Sequence, residues 1–291
     1  MNETRKALLL IILAGVLWGT SFPAIKIGLS YTDAYMLAFW RFFLASAIMF
    51  VILVLTRNFS LELAKRRVLL LGILNGFSYL LQYVGMTYTT ASKSSLLVNL
   101  TAIWVAMLSW VIFKERFGSR KLLGIVLATV GVFLVTTSLN FSELTGGMLF
   151  GDILVLISGV GWSLFIVYNK KFIVDTEKSF QFMTWILFAT TLPLIPFIAL
   201  SSNPSLNLPI EAWGAIGYTA VFCWIVPYFA WLKGLKHASP VVATIVLLTE
   251  VIVATLVSFF MLDERFTIVS GAGALLILLA IVMASSNNRT T

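Results

Sequence analysis

Long apolar runs, interrupted by short clusters of charge and turn residues, set the pattern of this chain. Reading between the clusters predicts ten helical spans, each near the ~20 residues that a bilayer crossing needs. They cover 7–29, 34–55, 68–88, 94–113, 122–139, 152–170, 180–200, 212–233, 239–262 and 269–285. What remains is divided among short loops and tails, so no separate soluble domain fits. The first run follows Arg5 and Lys6 as the core of a signal peptide would. It continues past Trp18 for more than a full span, however, and is read as a retained helix.

Charge orients these spans. Sixteen of the 20 Lys and Arg fall in alternate loops on one side: Arg5, Lys6, Arg57, Lys65, Arg66, Arg67, Lys114, Arg116, Arg120, Lys121, Lys170, Lys171, Lys178, Lys233, Lys236 and Arg289. The opposite loops hold Lys93 and Arg265, with Lys26 near a span end and Arg41 inside a span. The excess of basic residues in cytoplasmic loops then predicts that both termini are cytoplasmic. An odd number of spans would destroy the alternation.

Composition narrows the function. Of 291 residues, 60% are apolar and 11% charged, against about 25% charged in soluble domains. Together with a mean hydropathy of +1.00, this excludes an ordinary soluble enzyme, a disordered chain and a nucleic-acid binder. The net charge of +8 belongs beside a membrane surface. One cysteine, Cys223, and one histidine, His237, exclude an intrachain disulfide and a zinc site of the usual Cys/His kind. No metal or cofactor is expected. There is no Walker A sequence for ATP and no His-Glu-x-x-His pattern for an intramembrane metalloprotease. Nor are there paired Asp-rich segments to hold magnesium on a diphosphate.

The chain repeats itself. Val111-Ile-Phe-Lys-Glu-Arg-Phe117 matches Phe260-Met-Leu-Asp-Glu-Arg-Phe266, with Glu115 and Glu264 149 residues apart. The same offset pairs Tyr79 with Tyr228, Gly85 with Gly234, Ala91 with Pro240 and Gly124 with Gly273. Near the start of each half the offset is about 144, setting Gly15-Val-Leu-Trp18 against Gly159-Val-Gly-Trp162 and Lys26 against Lys170. Each half, 1–144 and 145–291, reads as five spans. Five is odd, so the halves are inverted. That is an arrangement of secondary transporters, in which exchanging the conformations of the halves exchanges the open side.

The paired Glu-Arg-Phe ends and Gly-rich final spans go with two further motifs: Trp18-Gly19-Thr20-Ser21-Phe22-Pro23 in the first span and Phe39-Trp40-Arg41-Phe42 in the second. In these features the chain resembles the drug/metabolite transporter superfamily, and within it the EamA-type ten-span family, over essentially its whole length. The resemblance implies an all-α bundle of ten transmembrane helices in two inverted repeats that moves small metabolites, often outward. It names no substrate. Members often carry Pro in the middle of the fourth and ninth spans, where this chain has Ala102 and Val251. That puts proline bending in doubt there and leaves Pro23, Pro193, Pro196, Pro227 and Pro240 as candidate kinks.

Glu250 is the sharpest site candidate. It lies about 11 residues into the ninth span, about 16 Å deep at 1.5 Å per residue, where a short carboxylate cannot snorkel to water. It is expected to face a wet cavity, to be protonated or to pair with a cation. It would serve as counter-charge to a substrate amine, as a proton-coupling acid, or as a buried structural acid. Its repeat partner is Thr101, so this charge belongs to one half only. Arg41, about 10 Å deep, suits anion recognition, pairing with an acid, or snorkelling. Asn75, Tyr79, Gln82, Tyr83 and Met86 form a stripe on one face of the third span, with Trp224, Tyr228 and Trp231 as the counterpart on the eighth. Their length and polarity suit a cavity wall, with interhelix packing as the alternative. Asn99 and Ser95 share a face of the fourth span, and Trp18 and Trp162 occupy equivalent positions. Lys26 and Lys170 read as compensating charges at span ends, Glu115 and Glu264 as surface latches, and Gly15/Gly19 and Gly72/Gly76 as close-packing pairs.

The substrate-binding set is therefore Glu250, Tyr79, Gln82, Tyr83, Asn99, Trp18, Trp162, Tyr228, Trp231 and Arg41. The expected activity is alternating-access export of a small amphipathic metabolite, an amino acid or organic amine. A lipophilic-cation exporter and a non-transporting membrane scaffold are the alternatives. The expected partners are that substrate, the bilayer and, if Glu250 carries it, a coupling proton; a homodimer stays open. The compact length without a long tail points to a prokaryotic plasma membrane.

Overall fold

The computed structural model describes residues 3–57, 59–88, 94, 97–115, 117–141, 149–173, 178–201, 208–262 and 267–286. Lys93, Ser95, Arg116, Glu264, Arg265 and Arg289, named above, lie outside them, as does Ala91. The described residues form helices joined by short turns, with no strand among them. In order these are α1 (Glu3–Gly19), α2 (Ser21–Leu29), α3 (Ala34–Leu55), α4 (Arg66–Tyr88), α5 (Thr101–Phe113), α6 (Ser119–Thr137) and α7 (Leu149–Ile173). The second set is α8 (Ser179–Thr191), α9 (Ile210–Ala220), α10 (Val226–Lys236), α11 (Pro240–Leu247), α12 (Thr249–Leu262) and α13 (Ile268–Ser286).

Seven helical stretches are long and apolar enough to cross a membrane: Glu3–Leu29, Ala34–Leu55, Arg66–Tyr88, Leu149–Ile173, Ser179–Leu200, Ile210–Lys236 and Pro240–Val257. Two further apolar helices, Leu97–Phe113 and Ile268–Ala284, are shorter, and α6 accompanies them. Large apolar side chains remain exposed along these helices, among them Leu55, Trp110, Phe260 and Ile268. In water such a surface would be an aggregation hazard; in lipid it is the expected outer face.

The proline positions explain most of the irregular backbone. Proline offers no N–H to the carbonyl four residues earlier. Pro23 thus leaves Gly19 without its helical donor, and the first span breaks between α1 and α2 at Thr20. Pro193 and Pro196 lie in a 3-10 stretch, Leu192–Leu200, that extends α8. Pro227 follows a π-helical turn, Val221–Ile225, between α9 and α10. Pro240 opens α11, capped by the Ser239 hydroxyl, which accepts from the Val242 N–H at 3.4 Å.

Two breaks have no proline. The fourth span turns at Leu100 before α5, and the ninth turns at Leu248 between α11 and α12. These positions are 148 residues apart and sit beside Ala102 and Val251. Both tighten to three-residue hydrogen bonds: Ile103 N–H to Leu100 C=O at 2.9 Å, and Val251 N–H to Leu248 C=O at 3.1 Å. A threonine follows each. The Thr249 hydroxyl donates back to Val246 C=O at 3.1 Å, a local bond that competes with the helix ladder and bends it. The Thr101 hydroxyl donates across to Gly159 C=O at 3.2 Å. A helix break at these sites therefore does not need a proline.

Helices from the two ends of the chain interleave. α1 packs on α10, α11 and α12, while α4 packs on α7 and α8, and α5 on α7 and α11. Glycines set the closest crossings. An added Cβ at Gly15 would stand 2.1 Å from Thr249 Oγ1, and one at Gly19 2.7 Å from Glu250 C=O. The broken turn of the ninth span is thereby seated on the first. Gly72 and Gly76 admit the Ile186 and Thr190 carbonyls of α8 in the same way.

Candidate functional site

Residues beside the breaks at Thr20, Leu100 and Leu248 and in the π turn of the eighth span line a partly open cavity of about 120 Å³. Nine of the ten residues in the set derived above line it: Trp18, Arg41, Tyr79, Gln82, Asn99, Trp162, Tyr228, Trp231 and Glu250. The tenth, Tyr83, is fully buried and does not line it. It packs beside Tyr79, with ring centroids 6.4 Å apart, and its hydroxyl accepts from Arg41.

Seven aromatic residues line the cavity. Trp224, Tyr228 and Trp231 follow one another at helical spacing and stack, with centroids 4.5 Å and 5.7 Å apart and planes within 13° and 21°. Phe165 lies parallel to Trp231 at 9°, Trp18 meets Trp231 at 6.1 Å, and Tyr79 meets Trp162 edge-on at 4.9 Å. The polar residues behind them are anchored. Asn75 donates to the Thr190 hydroxyl at 3.1 Å, and the Tyr228 hydroxyl donates to Asn169 Oδ1 at 3.0 Å.

Arg41 ties three spans together. It is 1% exposed; its Nη1 donates to the Tyr83 hydroxyl at 2.6 Å and its Nη2 to the Cys223 carbonyl at 3.0 Å. That carbonyl lies in the π turn just ahead of Pro227, where the helical hydrogen-bond ladder is interrupted. The guanidinium also lies over the rings of Phe42 and Tyr79, at 5.3 Å and 5.5 Å from their centroids. No carboxylate pairs with it among the described residues.

Glu250 lies in the first turn of α12, where the helix dipole favours negative charge. It keeps part of its surface open to the cavity, and among the described residues nothing hydrogen-bonds or ion-pairs with its carboxylate. The two charges of the cavity thus stand on different walls, Arg41 on α3 and Glu250 on α12. Lys170 is not part of the site. Its ammonium donates to the Leu235 and Lys236 carbonyls at 2.7 Å and 2.8 Å, capping the C-terminus of α10. At the surface, Glu115 pairs with Lys121 at 2.6 Å.

A profile of the EamA-like transporter family matches residues 5–137 and again residues 149–286. This chain belongs to the EamA-like transporter family. Among its relatives is an uncharacterized transporter of Archaeoglobus fulgidus, 32% identical over 276 residues, covering 91% of this chain and 93% of that one. Another is the uncharacterized transporter YyaM of Bacillus subtilis, 29% identical over 92% of this chain and 89% of that one. A third, from Escherichia coli, is named "Probable amino-acid metabolite efflux pump" and is 28% identical over 94% and 93% of the two chains. A solved crystal structure superposes with a TM-score of 0.81 over 97% of each chain at 16% identity, which shows a shared fold.

This EamA-like protein is therefore a multi-pass membrane transporter, and its family and relatives are transporters rather than enzymes. Its cavity also holds residues outside the expected substrate-binding set, among them Ser21, Thr101, Phe165, Thr244 and Leu247. Phe165 had a signal, since it stands three residues after Trp162 on the same helical face. Thr244 and Leu247 had none, because α11 is buried on every side and no face of it stands out.

Proposed function

We propose that this transporter exports a small amphipathic metabolite bearing an amine, an amino acid or organic amine, by alternating access around the central cavity. One observation carries the reading: Glu250, with no partner for its carboxylate among the described residues, lines a cavity rich in aromatic rings, beside a helix break. An ammonium supplies the missing charge, and aromatic faces suit both its apolar body and the cation. The name of the Escherichia coli relative agrees with this substrate class. The ring-lined wall equally favours the second reading, a lipophilic cation held by ring faces and Glu250.

The proposed scaffold is ten spans in two inverted five-helix repeats, 1–144 and 145–291, with both termini in the cytoplasm of a prokaryotic cell. Its supports are the two profile matches, the breaks at corresponding positions of the fourth and ninth spans, and the reciprocal packing of α1 on α10–α12 and of α7 on α4 and α5. Exchanging the conformations of two such halves opens the cavity to the other side.

Flux in proteoliposomes tests the reading, using labelled amino acids and amines with and without an imposed pH gradient. Glu250→Gln keeps the shape and removes the charge. Gradient-driven flux lost in the variant makes Glu250 the proton carrier. Gradient-independent flux that falls in the variant leaves it as the counter-charge. Amine and amino-acid flux unaffected by the substitution refutes the assignment.

A further inference from the structure

Counting hydrogen-bond donors around the cavity exposes an imbalance. The indole N–H groups of Trp18, Trp162, Trp224 and Trp231 are buried without an acceptor among the described residues, and so is Nε of Arg41. All five side chains line the cavity. A guanidinium has five N–H donors, and among the described residues two of Arg41's find acceptors, both neutral oxygens. Buried donors without acceptors and a buried cation without an anion are both costly states. The one acceptor-only side chain of the cavity, Glu250, stands on the other wall. An amine alone would bring still more donors and relieve none of this.

We propose that Arg41 and Trp224 form an anion subsite that takes a carboxylate, so that the transported molecule is a zwitterion with its carboxylate at this wall and its ammonium toward Glu250. The zwitterion assignment rests on the reading of Glu250 given above; the anion subsite stands independently of it. The two residues are neighbours by construction. Arg41 is held by the carbonyl of Cys223, the residue before Trp224. Phe42 and Tyr79, whose rings lie beside the guanidinium, also meet the Trp224 ring, at 5.5 Å and 5.8 Å. A carboxylate has two oxygens and about four lone-pair sites, enough for the guanidinium edge and an indole N–H together. Charge-assisted bonds of this kind are the strong ones. The Tyr83 and Cys223 contacts hold the guanidinium when the substrate leaves. Seating the ligand requires the guanidinium and indole edges, whose nitrogens are buried, to turn into the cavity that their side chains line. A lipophilic cation, lacking the carboxylate, leaves every one of these donors unpaired.

The test is calorimetric binding to the purified full chain in detergent, with matched probes: phenylalanine, phenethylamine and 3-phenylpropionate, then leucine, 3-methylbutylamine and 4-methylpentanoate. The amino acid is expected to bind at least about tenfold more tightly than its amine. Trp224→Phe keeps a ring and removes the N–H; it should weaken the amino acid and the acid severalfold and leave the amine unchanged. Arg41→Gln should abolish the preference for the amino acid. If that variant does not fold, Arg41→Lys and Trp224→Phe decide the matter by the same comparison.

Amines bound as tightly as amino acids, or weakened equally by Trp224→Phe, overturn the subsite. If that amine binding is lost in Glu250→Gln, the earlier function survives while this inference fails. Acids and amino acids that bind with dependence on Trp224 but not on Glu250 keep the anion subsite and overturn the amine reading. Silence across both series overturns both.

Discussion

A single methyl group at Gly19 tests how the ninth span is seated. Alanine there would place its Cβ 2.7 Å from the Glu250 carbonyl and 2.7 Å from Val253 Cβ. Non-bonded carbon contacts are comfortable near 3.5 Å, so the first turn of α12 must retreat by roughly half an ångström or more. A backbone carbonyl cannot rotate out of the way as a side-chain tip can. Overpacking of this sort costs about 1–3 kcal/mol, while glycine-to-alanine in a helix returns about 0.5–1 kcal/mol. The expected net is a loss of about 1–2 kcal/mol, together with displacement of the turn that carries Glu250. Gly217 provides the internal control, because nothing lies within 4 Å of its added Cβ. Gly217→Ala should be neutral or stabilising by up to about 1 kcal/mol. Cys223 is the chain's one cysteine and is buried, so a thiol-reactive fluorophore reports unfolding directly in a thermal ramp. At about 2–4 °C per kcal/mol, Gly19→Ala should melt several degrees below Gly217→Ala, and its flux should fall. Equal melting temperatures with full flux in both variants would refute the proposed seating of α12 on α1.

Two further outcomes are expected. Lys170→Met removes both bonds to the last carbonyls of α10 and should lower stability by about 1–2 kcal/mol, read as a lower melting temperature with substrate affinity unchanged; a variant as stable as wild type would show that water serves those carbonyls equally well. A topology reporter fused after residue 145 should be external, and reporters after 57 and 118 cytoplasmic; a cytoplasmic reporter at 145 would break the inverted-repeat scheme.

How much of this was legible beforehand depends on the range of the interactions. Helix positions were legible because hydrophobic run length is a local property: the predicted 34–55 coincides with α3, and 68–88 lies within α4. The cavity face of α4 was legible too, since Asn75, Tyr79 and Gln82 recur at helical spacing. The breaks at Leu100 and Leu248 were not. No proline marks them, and Leu248 depends on how Thr249 bonds and how closely Gly15 lets its helix approach. Tyr83 read as a cavity residue because it follows Tyr79 by four on the same helical face; its contact with Arg41, 42 positions away in sequence, carries no local signature. The sequence placed Arg41 at depth but left open whether it binds, pairs or snorkels. The Cys223 carbonyl that holds it leaves no trace in a side-chain pattern except the proline four residues later.

That proline has a consequence for how such a protein can evolve. Positions 41 and 227 lie on different helices, yet neither can be replaced alone without penalty. An N–H restored at 227 would compete for the carbonyl that now restrains the guanidinium, while losing the arginine would strand that carbonyl where water is scarce. Substitution at either position is therefore expected to alter the constraint on the other, and co-variation of positions 41 and 227 among relatives would be the record of that coupling.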